Sequence, residues 1–132
     1  MALRLVLKPH ERLIVGGAVL RNGNARAEFM IENTVPVLRE RDILSPSTAT
    51  TPCGMVYLAL QLMYVEPQHR TQHRITYDAL INDVLTAAPS TRELITRVNE
   101  HLDTGRYYHA LKVARELLTY EHTLLANAHQ RS

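Results

Sequence analysis

Alternating apolar and polar positions mark the start of the chain. Leu3, Leu5 and Leu7 are separated by Arg4 and Val6, which is the period of two expected for a strand with one buried face. Further short segments typical of strands follow at residues 12–15, 18–20, 25–31 and 35–38. Together they predict a small antiparallel β-sheet or barrel of four or five strands over about residues 3–41.

Glycine and proline positions predict how these strands connect. Gly16-Gly17 indicates a tight turn or bulge after the second strand. Asn22-Gly23 is the clearest hairpin signal, because this pair tolerates the positive φ values of a two-residue turn. Pro36 cannot donate a hydrogen bond to a neighbouring strand, so the last strand is predicted at a sheet edge.

From about Ser47 the apolar period becomes that of helices. The segment 55–65 is apolar nearly all round and is therefore predicted to be a buried helix, which Glu66-Pro67 ends. Three further helices are predicted, the last from residue 106 to about 129. Their apolar stripes contain Tyr77, Leu80, Ile81, Val84 and Leu85 in the second, Leu94, Ile95, Val98 and Leu102 in the third, and Tyr108, Leu111, Leu118 and Leu125 in the fourth.

Local signals define the ends of the third helix. Ser90 and Glu93 have the spacing of a capping box at its start, and Thr104-Gly105 ends it. The short connection to the fourth helix predicts an antiparallel helical hairpin. The predicted fold class is α+β, with residues 1–132 in a single domain that has a β-rich part at 1–44 and a bundle of about four helices at 45–132.

Composition is that of an ordinary soluble domain. The chain has 132 residues, of which 45% are hydrophobic and 21% charged, with a net charge of +2. Residues 1–44 contain seven Lys/Arg and five Asp/Glu, whereas the rest of the chain contains eight of each. The cationic excess is N-terminal, but it is too small to indicate a nucleic-acid partner by itself.

Several features predict a cytoplasmic protein. Cys53 is the single cysteine, so no intramolecular disulfide can form, which fits a reducing compartment. The first residues are charged too early and too often for a signal peptide. The continuous apolar segment 55–65 would rise only about 16 Å as a helix, roughly half of a bilayer's hydrocarbon core, so no membrane association is predicted.

The candidates for catalysis or metal binding are isolated. His69 and His73 could share a helical face, but no cysteine or carboxylate stands at a recognisable ligand spacing beside them. Cys53 precedes Gly54 at a predicted helix start, where a thiolate is favoured; the alternative is a small buried residue. No glycine-rich phosphate loop is present. We therefore predict no enzyme activity, no cofactor and no metal.

Arginines on the N-terminal strands are the best candidates for binding. Arg4 alternates with leucines, and Arg39 and Arg41 have the spacing that places side chains on one face if the strand persists. Paired guanidinium groups suit phosphate oxygens and unpaired bases. The alternative is a solvated sheet edge protected by charge, with Glu40 and Asp42 offsetting the arginines.

Three segments carry a resemblance to a known family. They read MALRLVLKPHERLIVGGAVLRNG, IENTVPVLRERDIL and TPCGMVYLALQLMY, and they are similar to the FlbT family, the flagellar biosynthesis repressors of alphaproteobacteria. The resemblance extends from Met1 to about Tyr120, although His10 stands where a glycine is more usual. It implies a post-transcriptional repressor that binds the 5′ untranslated region of flagellin mRNA, limits translation and promotes decay of the message. It also implies a link to the small partner FlaF.

A second resemblance covers about forty residues. The segments 10–16 and 35–40 are similar to strands of the carbon-storage regulators, which are strand-swapped dimers that bind mRNA leaders through their first and last strands. By position, this resemblance implies an RNA-binding face that includes Arg4 and Arg39, and it raises a homodimer as a possibility. With the neighbouring cations added, the predicted RNA-binding residues are Arg4, Lys8, Arg12, Arg39 and Arg41.

Two other classes of function compete with RNA binding. The helices could form an adaptor or export chaperone for flagellin or a FlaF-like protein. Charged residues on the last helix could rim such a groove, although a solvated face explains them as well: Lys112, Arg115, Glu116 and Glu121. A purely structural flagellar component is disfavoured, because the chain lacks the long terminal heptads of a filament subunit.

Overall fold

A computed structural model describes residues 2–131 of the protein, with side chains placed through residue 128. The chain divides into two compact units, Met1–Ile43 and Leu44–Ser132. The first unit contains five β-strands and the second contains four α-helices. The predicted α+β class, with the β-strands first and the helices after them, is confirmed. That the two units form one domain stays a prediction.

The β unit consists of two small antiparallel sheets. Its strands are β1 (Leu3–Leu7), β2 (Arg12–Val15), β3 (Ala18–Arg21), β4 (Ala27–Ile31) and β5 (Val37–Arg39). One sheet pairs β1 with β4, and the other has the order β3-β2-β5. The strand with Pro36 just before it is thus an edge strand, as predicted. The short Glu40–Asp42 segment that follows β5 is a 3-10 turn.

The alternation in β1 produces the core of this unit. Leu5, Leu7 and Leu13 are buried, while Arg4 is exposed. Because successive strand residues point to opposite faces, Leu5 and Leu7 reach the core and Arg4 reaches solvent, whereas Leu3 at the start of the strand is also exposed. Partly buried hydrophobic residues from the other strands pack against these leucines: Val15, Phe29, Ile31 and Val37.

Of the two predicted turns, the one at Gly16-Gly17 is confirmed and the one at Asn22-Gly23 is wrong. Gly16-Gly17 joins β2 to β3 with Val15 opposite Ala18, and Gly16 has a φ of 58°, a value that glycine adopts without strain. The hairpin predicted at Asn22-Gly23 is wrong, because β3 pairs with β2 and β4 pairs with β1. The Asn22 amide instead donates to the carbonyl oxygens of Leu7, Lys8 and Ala25 at 3.3, 2.8 and 3.0 Å. Asn22 thus anchors the loop between the two sheets.

The helical unit contains α1 (Pro52–Val65), α2 (Arg70–Ala87), α3 (Arg92–Asp103) and α4 (Tyr107–Arg131). Thr51 caps α1 by accepting a hydrogen bond from the Gly54 N–H at 3.0 Å, and Pro52 takes the first helical position. α1 packs against both α2 and α4, which explains why it is apolar on nearly every side. Within the described part of the chain, no helix has both the length and the apolar character needed to cross a membrane.

The ends of α3 follow one prediction and contradict another. The capping box is wrong: a 3-10 turn over Pro89–Thr91 precedes α3, and the Ser90 hydroxyl accepts a hydrogen bond from the Tyr120 hydroxyl at 2.6 Å. At the other end, the Gly105 N–H donates to Leu102 and the Arg106 N–H to His101. These two bonds form a Schellman motif, and α3 packs against α4 as the predicted hairpin requires.

Gly105 is expected to be the substitution-sensitive position of this motif. Its φ is 75°, in the left-handed region that a β-carbon disfavours. Gly105→Ala should lower the free energy of unfolding by about 1 kcal/mol, and Gly105→Asn by less, because asparagine tolerates this conformation better. Urea denaturation followed by circular dichroism measures both variants. Equal losses for the two substitutions would contradict this explanation.

Candidate nucleic-acid interface

The β unit contains an open cleft of about 570 Å³. Eight residues line it, and four of them carry positive charge. The cationic residues are Lys8, Arg26, Arg39 and Arg41; the others are Val6, Pro9, Glu11 and Glu40. This set, called the cationic cleft below, combines charge with two apolar side chains.

The strand register explains why these residues meet. In the first sheet Leu7 lies opposite Ala27, so the next residue on each strand, Lys8 and Arg26, falls at the same end of the sheet. In the second sheet Arg39 lies opposite Leu13 at the end of β5, next to the 3-10 turn that carries Arg41. The cleft therefore forms where β1 ends, β4 begins and β5 ends.

Arg39 has a fixed position within the cleft. It is half-buried, and its Nη2 donates a hydrogen bond to the carbonyl oxygen of Val6 at 3.0 Å. This bond joins β5 of one sheet to β1 of the other. Because a guanidinium group has five N–H donors and a permanent charge, Arg39 both supports the cleft and contributes charge to it.

The predicted shared face of Arg39 and Arg41 is wrong in its geometry. The strand ends at Arg39, and Glu40–Asp42 form a 3-10 turn, so the two-residue alternation stops there. Arg41 is 75% exposed, and its Nε lies 4.0 Å from Asp42 Oδ2. The two arginines nevertheless line the same cleft, because the turn bends the chain along it.

Each carboxylate of the cleft contacts a group other than the side chain of a cation that lines it. Glu11 Oε1 accepts a hydrogen bond from the backbone N–H of Lys8 at 2.8 Å. Glu40 Oε1 lies 3.4 Å from Nε of Arg12. Four cations and two carboxylates leave the lining with a net charge of +2. This net positive charge favours the binding of an anionic ligand.

Arg4 and Arg12 lie outside the lining of the cleft. Arg4 forms a two-point ion pair with Glu28 on the neighbouring strand, at 2.9 and 3.0 Å. Arg12 is paired with Glu40. Of the five predicted residues, the structure thus brings together Lys8, Arg39 and Arg41, and it places the other two in surface ion pairs.

Arg26 is a cleft residue that the sequence did not reveal. It stands just before β4, and it joins Lys8 only because β4 pairs with β1 and not with β3. The Asn22-Gly23 signal favoured the opposite pairing, and no periodicity singled out this arginine. The N-terminal excess of cations was the only available signal.

His10 occupies a strained turn between β1 and β2, next to Pro9 of the cleft. Its φ is 63°, a conformation that costs most non-glycine residues about 1–2 kcal/mol. The His10 N–H donates to the Gly23 carbonyl at 2.8 Å, which holds the turn against the loop anchored by Asn22. A glycine at this position would adopt the same backbone without strain, so the departure at His10 retains the turn geometry.

The other candidate groups lie in the helical unit. His73 Nε2 lies 2.9 Å from Glu66 Oε1, and no cluster of three or more metal-ligating side chains occurs among the described residues. Cys53 is buried, and its burial and then the nearby Glu121 carboxylate raise the pKa of its thiol to about 12. The thiol therefore stays protonated at neutral pH, and the predicted alternative of a small buried residue describes it.

A family model and several curated proteins match this chain. The model described as "Flagellar protein FlbT" matches residues 3–125. The chain is 51% identical over 125 residues to the probable flagellum biosynthesis repressor protein FlbT 1 of Bradyrhizobium diazoefficiens, covering 94% of this chain and 85% of the relative. It is 38% identical over 126 residues to the corresponding probable repressor of Rhodopseudomonas palustris, covering 96% and 99%.

A more distant relative extends the same pattern. The chain is 31% identical over 123 residues to the flagellum biosynthesis repressor protein FlbT of Caulobacter vibrioides, covering 92% of this chain and 87% of the relative. The match includes both the β unit and the helical unit in each case. No solved structure matches the chain.

Proposed function

The chain belongs to the FlbT family of flagellar proteins, and we propose that this repressor of flagellum biosynthesis acts by binding the 5′ untranslated region of flagellin mRNA. Bound protein limits translation of the message and promotes its degradation. The site of action is the cytoplasm, where the message is translated. The family is one of regulators and not of enzymes, so degradation is carried out by nucleases supplied by the cell.

The cationic cleft is the observation that carries this proposal. Its guanidinium groups provide the planar, multiply donating surfaces that suit phosphate oxygens, and they also stack on unpaired bases. Val6 and Pro9 add apolar surface against which a base can lie. A cleft of about 570 Å³ has the size of an ordinary small-ligand site, so it accommodates an unpaired nucleotide and not a duplex.

Arg4 and Arg12 extend the proposed RNA-binding surface beyond the cleft. Both are paired with carboxylates near the surface, and such pairs contribute only about 0–1 kcal/mol. Exchanging Glu28 or Glu40 for an RNA phosphate therefore costs little. A leader strand that leaves the cleft can recruit these two arginines without disturbing the fold.

A salt titration of binding tests the proposal. Arg26→Gln and Arg41→Gln should each weaken binding of flagellin leader RNA and should each reduce the slope of log affinity against log salt by about 0.7, the value for one phosphate contact with a single strand. Arg92→Gln is the control, since Arg92 is an exposed arginine of the helical unit and is not among the residues that line the cleft. Slopes and affinities equal to those of the control would exclude the cleft as the phosphate-binding site.

A second candidate is an adaptor that binds flagellin or a FlaF-like protein through the helices. It is favoured by an apolar cavity of about 280 Å³ in the helical unit, lined in part by Val84, Leu124 and Leu125. Of the predicted rim residues, Glu116 pairs with Arg97 at 3.2 Å and Glu121 accepts the Cys53 N–H, so these two carboxylates serve the helical packing. Homodimer formation likewise stays a prediction.

A further inference from the structure

Four aromatic rings form a continuous cluster across three helices of the helical unit. Tyr64 of α1 lies 5.8 Å from Tyr108 of α4, measured between ring centroids. Tyr108 lies 6.3 Å from His109, and His109 is stacked on His101 of α3 at 5.6 Å. These four residues, called the ring cluster below, connect the C-terminal ends of α1 and α3 through the start of α4.

The ring cluster is accessible to solvent. Tyr64, Tyr108 and His101 are half-buried, and His109 is exposed. In the core of the same unit, by contrast, Tyr77 is fully buried and its hydroxyl donates to Asn99. The rings of the cluster therefore contribute less to core packing than Tyr77 does, and part of their surface is open to a ligand.

Cations surround the cluster. The Lys112 ammonium lies 5.1 Å from the centroid of Tyr108, and the Arg70 guanidinium lies 3.9 Å from that of the adjacent Tyr107. Arg106 is exposed and lies at the same end of α4. Across the described residues, none of these three cations forms a salt bridge, whereas Arg74 and Arg97 do. The cluster thus combines ring faces with three nearby cations.

The neutral state of His101 favours stacking. Burial, and then electrostatic interactions with Arg106, His109 and Arg97, lower the pKa of His101 below its ordinary value. His101 is therefore uncharged at neutral pH, and its Nδ1 has no hydrogen-bond partner among the described residues. The charge of this surface comes from the arginines and the lysine, and the rings supply the flat faces.

We propose that the ring cluster is a second contact for single-stranded RNA, in which unpaired bases stack on Tyr108 and His109 while Lys112, Arg70 and Arg106 bind the flanking phosphates. Interleaved aromatic rings and cations are the usual means by which proteins bind a single strand without reading its sequence. This inference rests on the proposed RNA-binding function and adds a second surface, on the helices. An acidic protein segment would use the cations but gain little from the rings.

Two variants test the proposal in the full-length protein. Tyr108→Leu removes the ring and keeps an apolar helix-forming side chain, and it should weaken binding of leader RNA about 5- to 10-fold, as expected for one lost stacking contact. Lys112→Gln should reduce the salt slope by about 0.7. Arg92→Gln is the matched control, because it removes one exposed charge at the opposite end of α3. Circular dichroism confirms that each variant is folded.

The outcomes separate this inference from the proposed function. If wild-type protein binds leader RNA, and Arg26→Gln weakens binding while Tyr108→Leu and Lys112→Gln behave like Arg92→Gln, the ring cluster is not an RNA contact and the cationic cleft stands. If the wild-type protein binds no RNA, the proposed function itself fails. Equal weakening of single-stranded and duplex RNA binding by Tyr108→Leu would also overturn stacking, since paired bases have no free face.

Discussion

Raising the pH above 9 is expected to destabilise the helical unit through Cys53. The pKa of this thiol is raised from 9.0 to about 12, first by burial and then by the Glu121 carboxylate. Below pH 9 the Cys53 thiol holds its proton in both the folded and the unfolded chain, so its contribution to the free energy of unfolding does not change with pH. Between pH 9 and about 12 only the unfolded chain releases it, and the free energy of unfolding falls by about 1.4 kcal/mol per pH unit.

The variant Cys53→Ala isolates this contribution. Alanine is close to cysteine in size and keeps the backbone N–H that donates to Glu121 at 2.9 Å, so the two proteins should differ little at neutral pH. Above pH 9 the variant should become the more stable protein, by up to about 4 kcal/mol near pH 12. Buried Tyr77, whose pKa is also raised by burial from an ordinary value of 10.0, destabilises both proteins alike above about pH 10, so the difference between them still reports Cys53. Urea denaturation measures the free energy of unfolding of both proteins across this pH range. If the two values change in parallel with pH, Cys53 is not the source of the destabilisation.

Replacing Arg39 should affect both the stability of the β unit and RNA binding. Arg39→Met removes the hydrogen bond to Val6 that joins the two sheets, and leaving that carbonyl unpaired should cost about 1–3 kcal/mol. It also removes a cleft cation whose position is fixed by a hydrogen bond within the fold. Leader RNA should bind about 30- to 100-fold more weakly, which corresponds to a lost charge-assisted hydrogen bond together with a less ordered cleft.

Arg39→Lys is the matched variant for this prediction. Lysine keeps the charge but not the planar group that donates to Val6 and to a ligand at once. We expect amide hydrogen exchange in β1 and β5 to accelerate in both variants, and RNA affinity to fall less for lysine than for methionine. Unchanged exchange together with unchanged affinity would show that Arg39 is an ordinary surface arginine.

Sequence periodicity was sufficient to predict the strands and helices but not which strands pair with each other. The alternation at Leu3–Leu7 and the apolar segment that became α1 depend on local burial, and local burial leaves a direct trace in the sequence. Pairing of β4 with β1 depends on contacts between residues that are distant in the chain. For that reason the Asn22-Gly23 signal was misleading: the loop is stabilised by the Asn22 side chain and not by a tight turn.

The candidate site shows the same distinction. Lys8, Arg39 and Arg41 were identified because they flank recognisable strands, and Arg26 was missed because only the register of β1 and β4 places it beside Lys8. The capping-box prediction failed for a related reason. The Ser90 hydroxyl accepts a hydrogen bond from Tyr120, which lies thirty residues later in the chain on α4. Likewise, no local pattern connects Tyr64 to Tyr108, which meet only through the packing of α1 on α4.

Crosslinking of flagellin leader RNA to the purified protein, with identification of the crosslinked peptides by mass spectrometry, tests the central claim most directly. Photoreactive uridines in the unpaired part of the leader should crosslink to peptides that contain Lys8 and Arg26 and to the segment from Arg39 to Arg41. Arg26→Gln and Arg41→Gln should reduce the yield at these sites. Crosslinks that are absent from the β unit, or unchanged in both variants, would contradict RNA binding by the cationic cleft.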